Sequence, residues 1–351
     1  MTRTQLLFVI YDGIHNSVFQ SQVLQPILQR LEETKDLEIT LVSFEKIILP
    51  AHEIEKIITP HARLHVEILK RAPFVIRPLL YYCTHQFKKT IKDTLYSTIT
   101  ARGPIAGWIA MKAFKKAGLE KLTVQARGLC AQEFRFTFQH CPPTILKRLS
   151  YNFFYNTYEK IERDVYSICN PTPRLRLTGN IEAVSSALKQ YLVEHFGADP
   201  KKITIATKDI PAIIDPQKIK AWKKEVREEL QIPDEAYVYV YAGSARPWQC
   251  VEETLDWFKD QREHPFLLIL TQDTQVFTKL IKEKNIPANS YIIKSVRPND
   301  LYKYLAAANA GLMFRKKDIV NWVARPTKML EYQSVGLEVV HNGNVGCLQK
   351  S

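Results

Sequence analysis

Two runs of alternating strand-like and helix-like segments, separated by a proline-rich interval, constrain this chain more than any other feature. The stretch "LLFVIY" (6–11) is a continuous apolar run, "SQVLQPILQRLEE" (21–33) carries apolar residues at helical spacing, and "LEITLVSF" (37–44) is a second strand. That is a βαβ unit, the building block of a parallel sheet. The order resumes with "STIT" (97–100), a helix from about 104 to 117, the strand "KLTVQA" (121–126), a Tyr- and Phe-rich helix from about 144 to 168, and a helix over 182–197 closed by Gly197. The interval "GADPKKITIATKDIPAIIDPQK" (197–218) holds three prolines and no long amphipathic helix. Alternation then returns with strands at 237–243, 265–270, 290–295 and 310–314 and helices between them. The pattern predicts two successive α/β domains, 1–208 and 209–351, each with its own parallel sheet. Ligands of such sheets bind outside the carboxyl ends of the strands, so two facing domains make an interdomain cleft.

With 351 residues, 46% of them hydrophobic, the chain is long enough for two cores of ordinary domain size. No window supports a membrane span, because the apolar run at 6–11 is short and 72–83 is broken by Arg77 and Pro78. No secretory signal is legible at the N-terminus, and a cytoplasmic protein is expected. Six cysteines (83, 130, 141, 169, 250, 347) lie at wide, irregular spacing without a CxxC pair, which favours free thiols. The net charge of +13 calls for an acidic partner such as nucleotide phosphate, anionic lipid or nucleic acid. Basic residues come in ones and twos, and no RNP1, KH or helix-turn-helix pattern is present, so nucleic acid ranks last.

Several chemistries are excluded by motif. No GxGxxG, GxxxxGK[ST] or GxSxG occurs, which argues against a Rossmann dehydrogenase, a P-loop ATPase and a serine hydrolase. No two aspartates lie two apart, and His61 and His65 lack the glutamate of a zinc motif, so no metal site is expected. The stretch "ARPTKMLEYQSVGLEVVHN" (324–342) reads as a helix start, a short helix, a glycine stop and a strand. With Arg325 and Pro326 opening the helix, the amides of Thr327 and Lys328 face outward from a positive helix end, where a diphosphate fits. Lys328 adds a full charge, and Glu331, one turn later on the same face, can accept hydrogen bonds. A solvated Lys/Glu helix pair is the other reading of the same residues. A tight Gly243-Ser244 turn after "YVYVYAG" brings backbone amides to a ligand, and Arg246 is suited to grip phosphate in a fork.

At "YAGSARPWQCVEETLDWF" (241–258), "FRKKDIVNWVARPTKMLEYQSVGLEVVHNGNVG" (314–346) and "EAVSSALK" (182–189) the chain resembles family-4 glycosyltransferases of the GT-B fold. The likeness covers most of the chain and is strongest from about residue 180 onward. It implies a retaining, metal-independent and cofactor-free transfer of sugar from a nucleotide-sugar, held by the C-terminal domain, to a glycan or lipid-linked acceptor, held mostly by the N-terminal domain. On this resemblance Arg246 and Lys328 stabilise the departing diphosphate. Gly243, Ser244, Arg315, Thr327 and Glu331 bind the donor. The matches at "ARGPIAGWIA" (101–110) and "QARGLCAQEF" (125–134) make Arg102, Arg127 and Glu133 acceptor-side candidates. The chain departs from the pattern at Val323, where many members carry an acid against the donor sugar, and at Pro247, where a lysine is common.

Three readings follow: a retaining glycosyltransferase, a non-catalytic nucleotide-sugar binder, and a basic nucleic-acid-binding protein. The chain stops at Ser351, soon after "NGNVG", whereas the GT-B fold usually continues with helices that cross back onto the first domain. The second domain is therefore expected to be incomplete. The stretch "PFVIRPLLYYCTHQFKKTIK" (73–92) sets apolar residues beside Arg77, Lys88, Lys89 and Lys92, and suggests reversible docking on the inner face of an anionic membrane.

Overall fold

A computed structural model describes residues 3–349 except 17, 49, 93, 141–143, 170–178, 208–209 and 262–264. The chain separates into two compact units, 1–209 and 210–351. The boundary expected between 208 and 209 falls on residues outside the described set. Cys83, Cys130, Cys250 and Cys347 are free thiols. Cys141 and the Cys169 side chain lie outside the described set.

The first unit is built on seven parallel strands: β1 (Thr4–Ile10), β2 (Leu37–Glu45), β3 (Leu64–Lys70), β4 (Thr98–Arg102), β5 (Leu122–Ala126), β6 (Asn180–Ala183) and β7 (Ile203–Ile205). Their order is β3-β2-β1-β4-β5-β6-β7. The continuous apolar run of β1 is explained by its central place, since both faces are covered. Leu6, Phe8 and Ile10 join a core with Ile27, Leu31, Ile39 and Leu41, while Leu7 and Val9 are fully buried on the other side. The helices are α1 (Gln25–Glu33), α2 (Ala51–Ile57), α3 (Arg77–Thr90), α4 (Gly103–Ala113), α5 (Lys116–Leu119), α6 (Cys130–His140), α7 (Ile145–Tyr166) and α8 (Ser186–Phe196). Gly107 lets α4 sit close to β5 and α7, because a methyl there would meet Val124 and Val165 at 3.1 and 3.0 Å.

Two strands were not legible in the sequence. The helix predicted over 182–197 begins only at Ser186: Glu182 and Ala183 belong to β6, and Ser185 Oγ caps α8 by accepting from Leu188 N at 3.0 Å. β7 lies within the proline-rich interval. Both are three or four residues long and form through pairing alone, β6 against β5 and β7 against β6.

In the second unit, α9 (Pro216–Glu229) precedes β8 (Tyr237–Ala242), α10 (Val251–Lys259), β9 (Pro265–Leu270), α11 (Thr274–Glu283), β10 (Tyr291–Lys294) and α12 (Leu301–Leu305). β11 (Ala310–Met313), α13 (Ile319–Val323), α14 (Thr327–Ser334) and β12 (Glu338–His341) follow. The parallel order is β10-β9-β8-β11-β12. Alternate residues of β8 enter opposite cores, Val238, Val240 and Ala242 on one side and Tyr241 on the other. Pro326 caps α14 instead of occupying its first turn, so Thr327 is the first helical residue.

Two buried contacts lead to predictions. A Cβ on Gly311 would meet the Tyr332 ring at 2.2 Å, so Gly311→Ala should destabilise the fold by about 2 kcal/mol or more, read as a lower urea midpoint at unchanged slope. Glu162, on α7, accepts from Cys130 N at 2.5 Å and Ala131 N at 3.3 Å, capping α6 from outside, and burial pushes its carboxyl up to about 8. The folded chain then binds more protons than the unfolded one, and stability should fall as pH rises from the ordinary glutamate range to about 8. Glu162→Gln should flatten that decline in unfolding curves taken across the window; an unchanged pH slope would place the Glu162 titration elsewhere.

Candidate functional site

The second unit concentrates charge at the carboxyl ends of β8 and β11. β8 gives way to Gly243 at φ +137°, a conformation that side chains other than hydrogen rarely adopt. A methyl on Gly243 would stand 3.3 Å from Lys328 Cε and Nζ, so glycine also makes room for the lysine. The turn is tied down by Gly243 N to Leu270 O at 2.9 Å, Tyr241 Oη to Ser244 O at 2.7 Å and Ala245 N to Asp273 Oδ2 at 2.8 Å. Arg246 caps a 3₁₀ turn (Pro247–Gln249), and Cys250 at φ +50° then turns the chain into α10.

That return brings Gln249 beside the helix lysine. Lys328, at the second position of α14, is 7% exposed; its Nζ lies 3.9 Å from the centre of the Tyr241 ring and 3.3 Å from Gln249 Oε1. The same Gln249 oxygen accepts from the Arg315 guanidinium. Arg315 is held in turn by Asn342 and Asn344: its N donates to Asn342 Oδ1 at 3.2 Å, and its carbonyl accepts from both side-chain amides at 2.8 Å. Among the described residues neither Lys328 nor Arg315 has a carboxylate within ion-pair distance. Burial, with Arg315 second, drives the Lys328 ammonium well below the usual lysine range, and Glu331 opposes the shift. Burial likewise lowers Arg315 and raises the half-buried Glu331.

Next to this pair, Gly243, Ser244, Thr271, Gln272, Val296 and Glu331 line a cavity of about 310 Å³. The structure therefore brings together Gly243, Ser244, Arg315, Lys328 and Glu331, with Thr327 opening the same helix. Arg246 stands apart, exposed on the turn. The sequence reading missed Gln249, Asn342 and Asn344, and no local pattern announces them.

In the first unit, Arg102 ends β4, is buried and donates to Gln22 Oε1 at 2.5 Å. Its charge and that of Arg71 favour the ionised form of Asp12, whose carboxyl desolvation pushes up. Desolvation, and then Asp12, raise Glu133, so Arg102, Asp12 and Glu133 share the carboxyl edge of the sheet. Arg127 differs: it lines a cavity of about 240 Å³ on the sheet face, with Gln22, Thr100, Gln125 and Glu182. Among the described residues no three His, Cys, Asp or Glu side chains are placed to hold a metal ion.

No protein-family profile matches the chain, and no curated protein matches it in sequence. Solved structures match over nearly its whole length. A glycosyltransferase from Rickettsia africae is 13% identical, with 99% of this chain and 81% of that one covered at a TM-score of 0.62. HepE of Anabaena, solved with UDP and glucose, is 12% identical over 98% of this chain and 82% of its own, with a TM-score of 0.61. The sucrose-phosphate synthase of Thermosynechococcus elongatus is 13% identical over 99% and 83%, with a TM-score of 0.64. Identities of this size speak for architecture: the chain has the two-domain α/β GT-B fold of these glycosyltransferase-like proteins, with a seven-stranded and a five-stranded parallel sheet.

Proposed function

We propose that the protein is a retaining, metal-independent glycosyltransferase that moves a sugar from a nucleotide-sugar to a glycan or lipid-linked acceptor, with no cofactor. The observation that carries this reading is the pair of buried basic side chains, Lys328 and Arg315, sharing one neutral oxygen, with no carboxylate within ion-pair distance of either among the described residues. Two desolvated like charges are costly to hold together, and an anion between them removes the cost. A diphosphate supplies that anion, with further support from the first-turn amides of α14. The cavity of about 310 Å³ beside Glu331 then takes the nucleoside, whose ribose hydroxyls donate to the carboxylate. HepE was solved with UDP-glucose, which makes UDP-sugars the first donors to try.

As the bond between sugar and diphosphate breaks, negative charge grows on phosphate oxygen, and cations already fixed in a dry site stabilise it without reorganising. Lys328 over Tyr241 and Arg315 between two asparagines fit that requirement. Arg102, Asp12 and Glu133 form the acceptor-side group in this reading.

Release of nucleoside diphosphate from a panel of nucleotide-sugars tests the proposal, and binding of a donor without release would leave a binder instead. Lys328→Ala and Arg315→Ala should each lower turnover at saturating donor by about two to three orders of magnitude. Arg246→Ala, at an exposed position, should cost about tenfold or less, and equal losses at all three would put Arg246 in the leaving-group site. Glu331→Gln should raise the donor KM more than it lowers turnover, because the nucleoside does not change during reaction. The lowered Lys328 pKa gives a sign for pH: the amine must be charged to hold diphosphate, so nucleoside diphosphate should bind more tightly as pH falls through that range, with proton uptake in calorimetry. Lys328→Met should abolish the pH slope; a slope retained in that variant would assign it to another group.

A further inference from the structure

The stretch expected to dock on membranes, 73–92, divides between a buried and an exposed side. In α3, Leu80, Cys83, Thr84 and Phe87 are buried, so its apolar side packs inward. Further exposed apolar surface lies on α7, at Ile145 (77% exposed), Leu149 (80%) and Phe153 (58%). Their spacing of four residues sets them in one stripe along the helix. Phe74, 60% exposed, continues it: its ring is 6.3 Å from that of Phe154, next in sequence to Phe153. Arg77 bonds Asp164 at 2.9 Å, joining the start of α3 to the same helix, and Tyr81 and Tyr82 on α3 are exposed.

The chain segments that carry this surface are mainly basic. Residues 68–92 contain six lysines and arginines and no acid, and residues 134–158 contain three and no acid. Lys88, Lys89 and Arg148 are exposed. Asp164, the nearby carboxylate, is engaged by Arg77 and by Trp108 Nε1.

We propose that the outer stripe of α7, with Phe74 and the exposed face of α3, docks on a bilayer surface bearing anionic phospholipid headgroups. The exposed apolar residues from Ile145 to Phe153 cover about 12 Å along α7, two turns that can lie in the plane of the interface with their side chains at the level of the acyl chains. Tyrosines place an apolar ring and a polar hydroxyl where water meets lipid. Lys88, Lys89 and Arg148 meet the headgroup charge, an attraction that salt weakens. The segments 68–92 and 134–158 carry cations and no acid, a pattern that complements an anionic lipid surface better than a second copy of the same basic surface. The inference is independent of sugar transfer.

Flotation of the full chain with phosphatidylglycerol–phosphatidylcholine vesicles tests it. The protein should float at low salt, and should stay behind at high salt or with pure phosphatidylcholine. The double variant Leu149→Asp with Phe153→Asp changes exposed side chains only and should keep the melting temperature while weakening binding by about tenfold or more. Lys88→Glu with Lys89→Glu, an independent pair, should weaken it similarly on anionic vesicles. No flotation of the unmodified chain would overturn the proposal, as would undiminished flotation of the Leu149/Phe153 variant. So would a dimer in sedimentation that this variant dissolves, which would assign the stripe to a second copy.

Discussion

Tyr332 sits under the candidate donor site and holds it to the sheet. Its ring packs against Gly311 of β11, and its hydroxyl accepts from Ala242 N at 3.0 Å while standing 3.3 Å from the carbonyls of Val240 and Leu312. These contacts draw α14 against the ends of two neighbouring strands. Lys328, one turn before Tyr332 on the same side of the helix, is thereby carried over Tyr241 and up to Gly243. The lysine is buried because the tyrosine is anchored. A parallel strand ends in backbone groups that no further pairing satisfies, and here a phenol bonds one of them.

The electrostatics of the two units differ in kind. In the second, basic side chains are desolvated and face neutral oxygen, an arrangement that leaves their charge uncompensated. In the first, acids are desolvated: Glu45 is buried and accepts from Ile14 N at 2.8 Å, fixing the loop after β1, while Glu162 caps α6. Those carboxylates satisfy backbone donors and are structural, whereas Asp12 and Glu133 keep contact with solvent near Arg102.

Val323, where the family pattern has an acid, is 1% exposed in the short helix α13. Its neighbour Asn321 is also buried and donates to Lys316 O at 2.8 Å. That segment positions the loop carrying Arg315. An acid in place of Val323 would be buried without an evident partner, so the apolar residue agrees with its surroundings.

The sequence by itself determined the architecture and the front of α14. Continuous apolar runs such as 6–11 and 237–242 fit only strands covered on both faces, and the helices between them require a parallel sheet. Proline before Thr327, glycine after Val335 and the Lys328/Glu331 spacing marked a short helix with charge at its start, from local rules alone. The tertiary structure decided the rest. β6 and β7 exist because neighbouring strands supply their hydrogen bonds, which three or four residues cannot signal. Arg315, Gln249 and Lys328 meet although 66 residues separate the first two and 79 the last two, so no window of sequence contains their contact. The outer stripe of α7 was equally hidden: its apolar spacing is that of any buried helix face, and only the packing of its opposite side shows that this one is left to the solvent.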